Sequence, residues 1–232
     1  MNKVDVLVIG GSAAGLVTAL TGKSHYPEKE FLLIRKEEKV VVPCGIPYIF
    51  GSLENSDQNV IPDAKLEGMG VDLLVGEVTA VDPENKRVQL ADGQTVYYEK
   101  LVLSIGSNPV VPDWLRGAEL DNVFTVPKNK AYLDQMLQQL EDKERLVVVG
   151  GGFIGVELSD ELCKRGKEVT VVELLPHVLS AVFDEALAVR AETVLQERGV
   201  QVETGSGVKE LFGNGRVEGV KGHLECKGLI LK

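Results

Sequence analysis

Short apolar runs alternate with longer amphipathic segments along the chain. The runs "VDVLVIG" at 4–10 and "FLLIRK" at 31–36 have the length of strands, and "AAGLVTALTGKSHY" between them has the length of a helix. A continuous apolar run of this length is typical of a strand. The order strand–helix–strand predicts two parallel strands joined by a right-handed crossover.

The same order recurs in the second half of the chain. The stretch "RLVVVGGGFIGVELSDELCKRGKEVTVVE" at 145–173 predicts a strand, a glycine turn, a helix and a second strand. Two such units predict an α/β protein with two Rossmann-like domains, each built on a mainly parallel sheet. We assign the first domain to residues 1–108 and the second to residues 109–232, because the proline-punctuated connection "SNPVVPDWLRG" separates them.

The segment between the two units follows a different pattern. Residues 71–106 alternate apolar and polar positions, with turns at "PENK" and "ADGQ". This pattern predicts an antiparallel meander followed by a separate buried strand, "KLVLSIG". Further on, a helix is predicted over 129–144. Its core-facing stripe consists of Leu133, Met136, Leu137 and Leu140.

The second glycine turn carries the stronger chemical signal, since it follows a predicted strand and opens a predicted helix. Gly150 permits the tight turn, Gly152 lets a pyrophosphate approach the backbone, and Gly155 lets helix and strand pack closely. The helix N-terminus offers unpaired N–H groups to phosphates. Glu173, at the end of the next strand, is placed to accept ribose hydroxyls. We predict dinucleotide binding here, and NAD over NADP because no arginine follows Glu173.

The first glycine turn, "GGSAAG", is less regular. Gly10 and Gly15 occupy the outer glycine positions, but Ser12 stands where the middle glycine belongs. Arg35 occupies the strand end, where an acid is expected, and the two glutamates in "RKEEK" are its nearest substitutes. The alternative is an ordinary strand–helix–strand unit that binds no ligand.

Composition narrows the classes of partner. The 232-residue chain has a net charge of −10, which argues against nucleic acid and anionic membrane surfaces as partners. No apolar stretch approaches the roughly 20 residues of a membrane helix. Three cysteines without paired or zinc-like spacing, and three scattered histidines, lead us to expect a reducing cytoplasm and no metal site.

The stretch "VVPCGIPY" at 41–48 contains the candidate nucleophile. Cys44 has two interpretations: a small buried hydrophobic residue, which is the common role of a free cysteine, or a reactive thiolate. Pro43 can fix the entry to a helix, and Cys44 would then lie in its first turn, where the helix dipole lowers the pKa of a thiol.

In order and spacing, the stretches "VIGGSAAG", "PCGIPY", "LVLSIGSNPVVP" and "VVVGGGFIGVELSDEL" resemble the pyridine nucleotide–disulfide oxidoreductases. These are flavoproteins in which an NAD domain interrupts an FAD domain. A single cysteine followed by G-I-P-Y resembles the branch of coenzyme A–disulfide reductases, persulfide reductases, and NADH oxidases and peroxidases. The peroxidases of this branch carry a histidine where this chain has Ala13, which favours the coenzyme A–disulfide or persulfide side.

The resemblance implies two cofactors, FAD and NAD, and a redox-active Cys44. The residues it assigns to the FAD and cysteine sites are Gly10, Ser12, Ala13, Ala14, Gly15, Arg35, Pro43, Ser104 and Gly106. Those it assigns to the NAD site are Gly150, Gly152, Phe153, Ile154, Gly155, Glu157 and Glu173. Glu157 resembles the acid beside the nicotinamide, and an ordinary helix-surface glutamate is the alternative. Arg35 departs from the family pattern and puts the contact with the adenosine of FAD in doubt.

The implied activity is NADH-dependent reduction of a low-molecular-weight disulfide or persulfide. The alternatives are an NADH oxidase that passes electrons to oxygen and a dinucleotide-binding fragment that does no chemistry. Related proteins continue beyond the position of "KGLILK" with a second FAD segment and a dimerisation domain. We therefore expect this chain to be a fragment or part of a split enzyme that retains little flavin alone, and a homodimer only if such a domain exists.

Overall fold

A computed structural model of the chain describes residues 2–222, 225–227 and 229–231. The chain divides into two compact units. The first comprises Met1–Pro43, Asn59–Asn108 and Lys128–Lys130, and the second comprises Cys44–Gln58, Pro109–Pro127 and Ala131–Lys232. The segment Cys44–Gln58, which we had placed in the first domain, therefore groups with the second unit. The assignment of one cofactor to each domain stays a prediction.

The described elements follow one another in the predicted alternation. The helices are α1 (Ala13–His25), α2 (Ile46–Ile49), α3 (Ala64–Met69), α4 (Lys130–Leu140), α5 (Phe153–Lys164) and α6 (Glu185–Glu197). Strands β1 to β7 are Asn2–Ile9, Phe31–Arg35, Asp72–Val75, Val78–Asp82, Arg87–Leu90, Thr95–Leu103 and Val123–Phe124. Strands β8 to β14 are Arg145–Val149, Glu168–Val172, Gln201–Glu203, Val208–Phe212, Gly219–Gly222, Glu225–Lys227 and Leu229–Leu231. Two 3-10 turns, Pro43–Gly45 and Ser56–Asn59, flank α2.

The first unit contains a six-stranded sheet in the order β3-β2-β1-β6-β5-β4. Strands β1, β2, β3 and β6 are parallel, and β4 and β5 extend the sheet in antiparallel fashion. Val8 on β1 pairs with Leu33 on β2 and with Val102 on β6, which places β1 in the middle of the parallel part. The predicted parallel pair β1–β2 is confirmed.

The predicted antiparallel meander is confirmed for β4, β5 and β6, which are joined at "PENK" and "ADGQ", but the prediction was wrong at both ends. Strand β3 pairs in parallel with β2, because the chain passes through α3 between them, and a parallel pair needs such a crossover. The run "KLVLSIG" is not a separate strand. Its first four residues form the end of β6, and the last three lie beyond that strand. Strand β6 pairs with β1 from Val96 to Leu103 and with β5 only near its start.

The core of the first unit lies on both faces of the parallel strands. All five residues of β2 are buried, which is typical of a parallel strand with a continuous apolar run. Leu7 and Ile9 of β1 pack with side chains of β5 and β6, whereas Val8 packs in a second cluster with Leu66 of α3 and Ala19 of α1. This two-sided burial fixes the carboxyl end of β1, where the first glycine turn begins.

The second unit contains a five-stranded parallel sheet in the order β10-β9-β8-β14-β7. The predicted strand–turn–helix–strand over 145–173 is confirmed as β8, α5 and β9. Strands β11, β12 and β13 form a separate antiparallel sheet. The predicted helix 129–144 ends earlier, at Leu140, and the expected stripe is buried except for the partly exposed Leu137.

Candidate functional site

The two glycine turns have nearly the same backbone conformation. Gly10 has φ +107° and Gly150 has φ +106°, in the left-handed region that favours glycine. A Cβ on Gly15 would overlap the carbonyl oxygen of Gly10, and a Cβ on Gly155 would overlap that of Gly150. Each helix therefore begins in direct contact with its turn, and both outer glycine positions in each turn are required by the geometry.

The end of β6 lies against the first glycine turn. A Cβ on Gly10 would overlap the carbonyl oxygen of Ser104, the residue that follows β6. Gly106, two residues further on, has φ +69°, and a Cβ placed on it would meet no described atom within 4 Å. The structure thus brings Ser104 and Gly10 together, as the cofactor prediction requires, and leaves open space beside Gly106.

The middle position of each turn is the N-cap of the following helix. Ser12 (φ −84°, ψ −166°) and Gly152 (φ −75°, ψ −175°) are both extended, so this position does not need a glycine for conformational reasons. The Ser12 side chain does not cap its helix, and Gly152 has no side chain to do so. Among the described residues, the buried Ser12 hydroxyl has no hydrogen-bond partner. No described atom lies within 4 Å of a Cβ on Gly152. Both turns therefore leave N–H groups of the first helical turn available to a phosphate.

Glu173 is held beside the second turn by two backbone hydrogen bonds. Its Oε2 accepts from the N–H of Gly151 at 2.6 Å, and its Oε1 accepts from the N–H of Leu175 at 2.7 Å. Each carboxylate oxygen has capacity for a further bond. The carboxylate is therefore oriented before any ligand arrives, and its position suits the two hydroxyls of a ribose.

Arg35 occupies the corresponding place in the first unit, but its guanidinium is engaged within the protein. Nη1 and Nη2 donate to the two carboxylate oxygens of Asp63 at 2.5 and 2.7 Å. Nε and Nη2 donate to the carbonyl oxygens of Glu37 and Glu38 at 2.8 and 2.5 Å. The side chain is buried and its aliphatic part packs beside Gly11. The first turn fits a dinucleotide pyrophosphate, but Arg35 does not reproduce the ribose contact of an acid.

The start of α5 presents exposed apolar side chains. Phe153 and Ile154 are 52% and 58% exposed, and the ring of Phe183 meets that of Phe153 edge-on with centroids 5.7 Å apart. Glu157 follows one turn later on α5 and is exposed. The predicted NAD-site residues therefore lie along one helix start. Phe183, which the sequence pattern did not single out, belongs beside them.

Cys44 lies in the 3-10 turn Pro43–Gly45, directly before α2. Its side chain is exposed, so the interpretation as a small buried hydrophobic residue was wrong. The helix that follows has only four residues, so it supplies far less dipole than the helix we expected. The Cys163 thiol is only partly exposed and donates to the carbonyl oxygen of Arg198 at 3.2 Å.

A buried carboxylate on α5 contacts the segment that follows Cys44. Glu161 is 2% exposed, and its Oε2 accepts from both the N–H and the hydroxyl of Ser52 at 2.7 Å. Burial alone would raise the pKa of Glu161, but hydrogen bonds from Lys164 and Ser52 outweigh it and hold the pKa below its ordinary value. One signal was present in the sequence: an acid at this position falls within the buried stripe that contains Leu158 and Leu162.

Comparison with known proteins identifies the family. A family model described as pyridine nucleotide-disulphide oxidoreductase matches residues 4–231. The chain belongs to this family. Its members depend on FAD and NAD(P)H, in agreement with the predicted cofactors. The predicted family and fold class are confirmed.

Relatives within the family are named for several functions. An NADH oxidase of Methanocaldococcus jannaschii is 31% identical, with 92% of this chain and 50% of the relative covered. A CoA-dependent NAD(P)H sulfur oxidoreductase of Pyrococcus abyssi is 32% identical, with 94% and 50% covered. The solved structure of an NAD-dependent persulfide reductase from A. fulgidus matches with a TM-score of 0.88 and 27% identity, covering 98% of this chain and 45% of that one. The chain thus spans about half the length of these relatives.

The described residues contain neither a metal site nor a helix that could span a membrane. Across residues 2–222, 225–227 and 229–231, no group of three or more His, Cys, Asp or Glu side chains could hold a metal ion. Within the same ranges, no helix has the length and apolar character needed to cross a membrane. The glycine turns and Cys44 remain the candidate sites.

Proposed function

We propose that the chain forms part of an FAD- and NADH-dependent oxidoreductase that reduces a low-molecular-weight disulfide or persulfide through Cys44. The observation that carries the proposal is an exposed thiol in a chain whose two glycine turns both have dinucleotide-binding geometry. Relatives named as sulfur and persulfide reductases support this class of acceptor. The three cysteines without paired spacing support a reducing compartment such as the cytoplasm.

The second unit would bind NADH. Backbone N–H groups at the start of α5 bind the pyrophosphate, and the open space at Gly152 lets it approach. Glu173 accepts hydrogen bonds from the adenosine ribose and repels a 2′-phosphate. Phe153 and Ile154 would supply apolar surface to the dinucleotide, and Glu157 would contact its nicotinamide end.

The first unit would bind FAD through the N–H groups of the α1 start and the Ser12 hydroxyl. When bound, the flavin supplies two-electron transfer between NADH and a sulfur acceptor. Cys44, as a thiolate, attacks one sulfur of the disulfide, so that a new S–S bond forms as the old one breaks. The leaving thiolate takes a proton from water. Reduction of the Cys44 mixed disulfide by the two electrons of NADH, passed on by bound flavin, would regenerate the Cys44 thiolate and release the second thiol with one proton.

A single substitution tests this proposal. In the FAD-loaded holoenzyme without oxygen, Cys44→Ser should lower coenzyme A disulfide-dependent NADH oxidation by at least about 100-fold, because the covalent step is lost. NADH binding should be unchanged. Cys163→Ser is the matched control and should keep full activity. Retained turnover in Cys44→Ser would contradict the thiol mechanism.

A second candidate is an NADH oxidase that transfers electrons to oxygen. It is favoured by relatives named NADH oxidases, of which that of Methanocaldococcus jannaschii is 31% identical. The two candidates are separated by oxygen consumption with NADH alone. Rapid oxygen consumption with no stimulation by a disulfide or persulfide would favour the oxidase.

A further inference from the structure

The segment that carries Cys44 is fastened to α5 at one buried carboxylate. Glu161 Oε2 accepts two hydrogen bonds from Ser52, and Glu161 Oε1 accepts one from Lys164 at 2.6 Å. A buried carboxylate is unfavourable unless it is paired and hydrogen-bonded, so its presence in an apolar stripe calls for a specific partner. Its partners are the ammonium of Lys164 on the same helix and, from the segment that follows Cys44, the N–H and hydroxyl of Ser52.

Two neighbours of Ser52 strengthen the same attachment. A Cβ on Gly51 would overlap both the carboxylate and the backbone carbonyl of Glu161, so the segment and α5 are in direct contact. Arg165, at the end of α5, donates from Nε to the carbonyl oxygen of Gly51 at 3.2 Å and from Nη2 to that of Leu53 at 2.5 Å. Residues 51–53 are therefore bound to α5 on both sides of Ser52.

Hydrogen bonds and buried side chains continue the attachment back to Ile46, two residues after Cys44. The N–H of Leu53 donates to the carbonyl oxygen of Tyr48 at 2.8 Å, and the N–H of Phe50 donates to that of Pro47 at 3.0 Å. Ile49 and Phe50 are fully buried beneath this turn. Cys44 thus stands exposed at the start of a short, packed and hydrogen-bonded segment whose far end is held by Glu161.

We propose that Glu161 is a positioning residue for Cys44: by binding Ser52 it fixes the segment 44–53 on the helix that begins at the NADH-binding glycine turn. The importance of this positioning for turnover rests on the proposed function. The mechanical part of the proposal, that the carboxylate limits the motion of Cys44, does not depend on any redox role of the thiol.

A nitroxide attached to Cys44 tests the mechanical part directly, in the 232-residue chain with Cys163 and Cys226 replaced by serine. We expect Glu161→Ala to increase the rotational rate of the probe at least about threefold, because the segment loses its attachment. Glu161→Gln should restore part of the immobilisation, since its amide oxygen can still accept from the Ser52 N–H. Asp160→Asn is the matched control, because Asp160 lies on the same helix and also binds Lys164 but contacts Arg198 instead of Ser52.

The outcomes separate positioning from general stability. An unchanged spectrum in Glu161→Ala, or an equal increase in Asp160→Asn, would overturn the proposal. If Glu161→Ala does not fold, Ser52→Ala and Gly51→Ala replace it: the first removes only the hydroxyl donor and the second separates the two surfaces. Both should mobilise the probe, and an unchanged spectrum in both would equally overturn the proposal.

Kinetics of the holoenzyme then test the link to turnover. We expect Glu161→Gln to lower kcat for the disulfide several-fold and to leave the KM for NADH unchanged, because the glycine turn keeps its geometry. A change in the KM for NADH with no change in kcat would contradict positioning of the thiol. Failure of the proposed function is recognised separately, since Cys44→Ser would then retain turnover whatever the nitroxide reports.

Discussion

Each of the two units contains a strand–helix–strand motif. The two motifs share one backbone conformation at the glycine turn and differ at the residue that ends their second strand. In both, a glycine with φ near +107° ends the first strand, and a second glycine lets the helix contact the turn. In the second unit the strand-end residue is Glu173, which accepts from the backbone of its own turn. In the first unit it is Arg35, whose guanidinium instead binds Asp63 and two backbone carbonyl oxygens.

This difference shows that the turn geometry suited to a pyrophosphate and the side chain suited to a ribose are separable features of such a unit. The glycine turn depends on backbone geometry alone, and both units retain it. The ribose contact depends on one side chain, which the first unit uses to hold residues 37 and 38 and Asp63 in place. Under the proposed function, groups other than Arg35 would have to bind the adenosine part of FAD in the first unit.

The largest effect is expected from the shared glycine that contacts the turn. Gly155→Ala should destabilise the chain by about 3 kcal/mol or more, because the new methyl overlaps the Gly150 carbonyl. Gly15→Ala should behave similarly in the first unit. Gly152→Ser, which copies Ser12 into the second unit, has no described atom within 4 Å of its Cβ and should change stability by less than about 1 kcal/mol. Urea unfolding measures the free energy of unfolding of all three variants. Equal losses of stability in Gly155→Ala and Gly152→Ser would show that the outer and middle glycine positions do not differ as described.

The next effect concerns the side chain that distinguishes the units. Arg35→Ala should lower the free energy of unfolding by about 2 to 3 kcal/mol, because Asp63 and two carbonyl oxygens lose their donors. In the Arg35→Ala background, Asp63→Ala should lower the free energy of unfolding much less than it does in the wild-type chain. The coupling energy between the two residues should be about 1 to 3 kcal/mol. Additive losses in the double-mutant cycle would mean that the pair does not stabilise the first unit.

The proposed contact of Glu173 with the adenosine ribose should contribute about 2 kcal/mol to NADH binding. We expect the chain to bind NADH at least tens of times more tightly than NADPH, because Glu173 repels a 2′-phosphate. Glu173→Gln should weaken NADH binding and narrow the difference between the two dinucleotides. Titration calorimetry measures both affinities, and comparable values for the wild-type chain would refute the role given to Glu173.

The smallest effect is a dependence on pH that belongs to the second unit. The pKa of Glu161 is lowered in the folded chain, because hydrogen bonds from Lys164 and Ser52 outweigh the effect of burial. Its stabilising contribution is therefore fully present above the ordinary value of 4.5 and is lost as the pH falls below it toward the folded pKa. In Glu161→Gln, the free energy of unfolding should depend less on pH over this acidic range. If the free energy of unfolding of that variant depends on pH as steeply as that of the wild-type chain, the titrating group is not Glu161.

The sequence predicted the features that depend on neighbours along the chain. Glycine spacing, the buried strands and the helix starts follow from local conformational and periodic constraints, and they were found within a few residues of their places. The partner of Arg35 lies 28 residues away and that of Glu161 lies 109 residues away, and no local pattern encodes such pairs. The parallel pairing of β3 was missed for a related reason, because the short helix α3 that makes the crossover was not predicted.

The order of strands in the second sheet has a consequence for how the chain folds. Strand β14 lies between β8 and β7, and Ile230 pairs with both Val147 and Val123. During synthesis β7 and β8 therefore emerge long before the strand that joins them, and among the described strands β7 has no neighbour in this sheet until residues 229–231 arrive. Such non-local pairing slows folding and leaves strand edges open to other chains. Nascent chains that stop before residue 229 should for this reason be prone to aggregate.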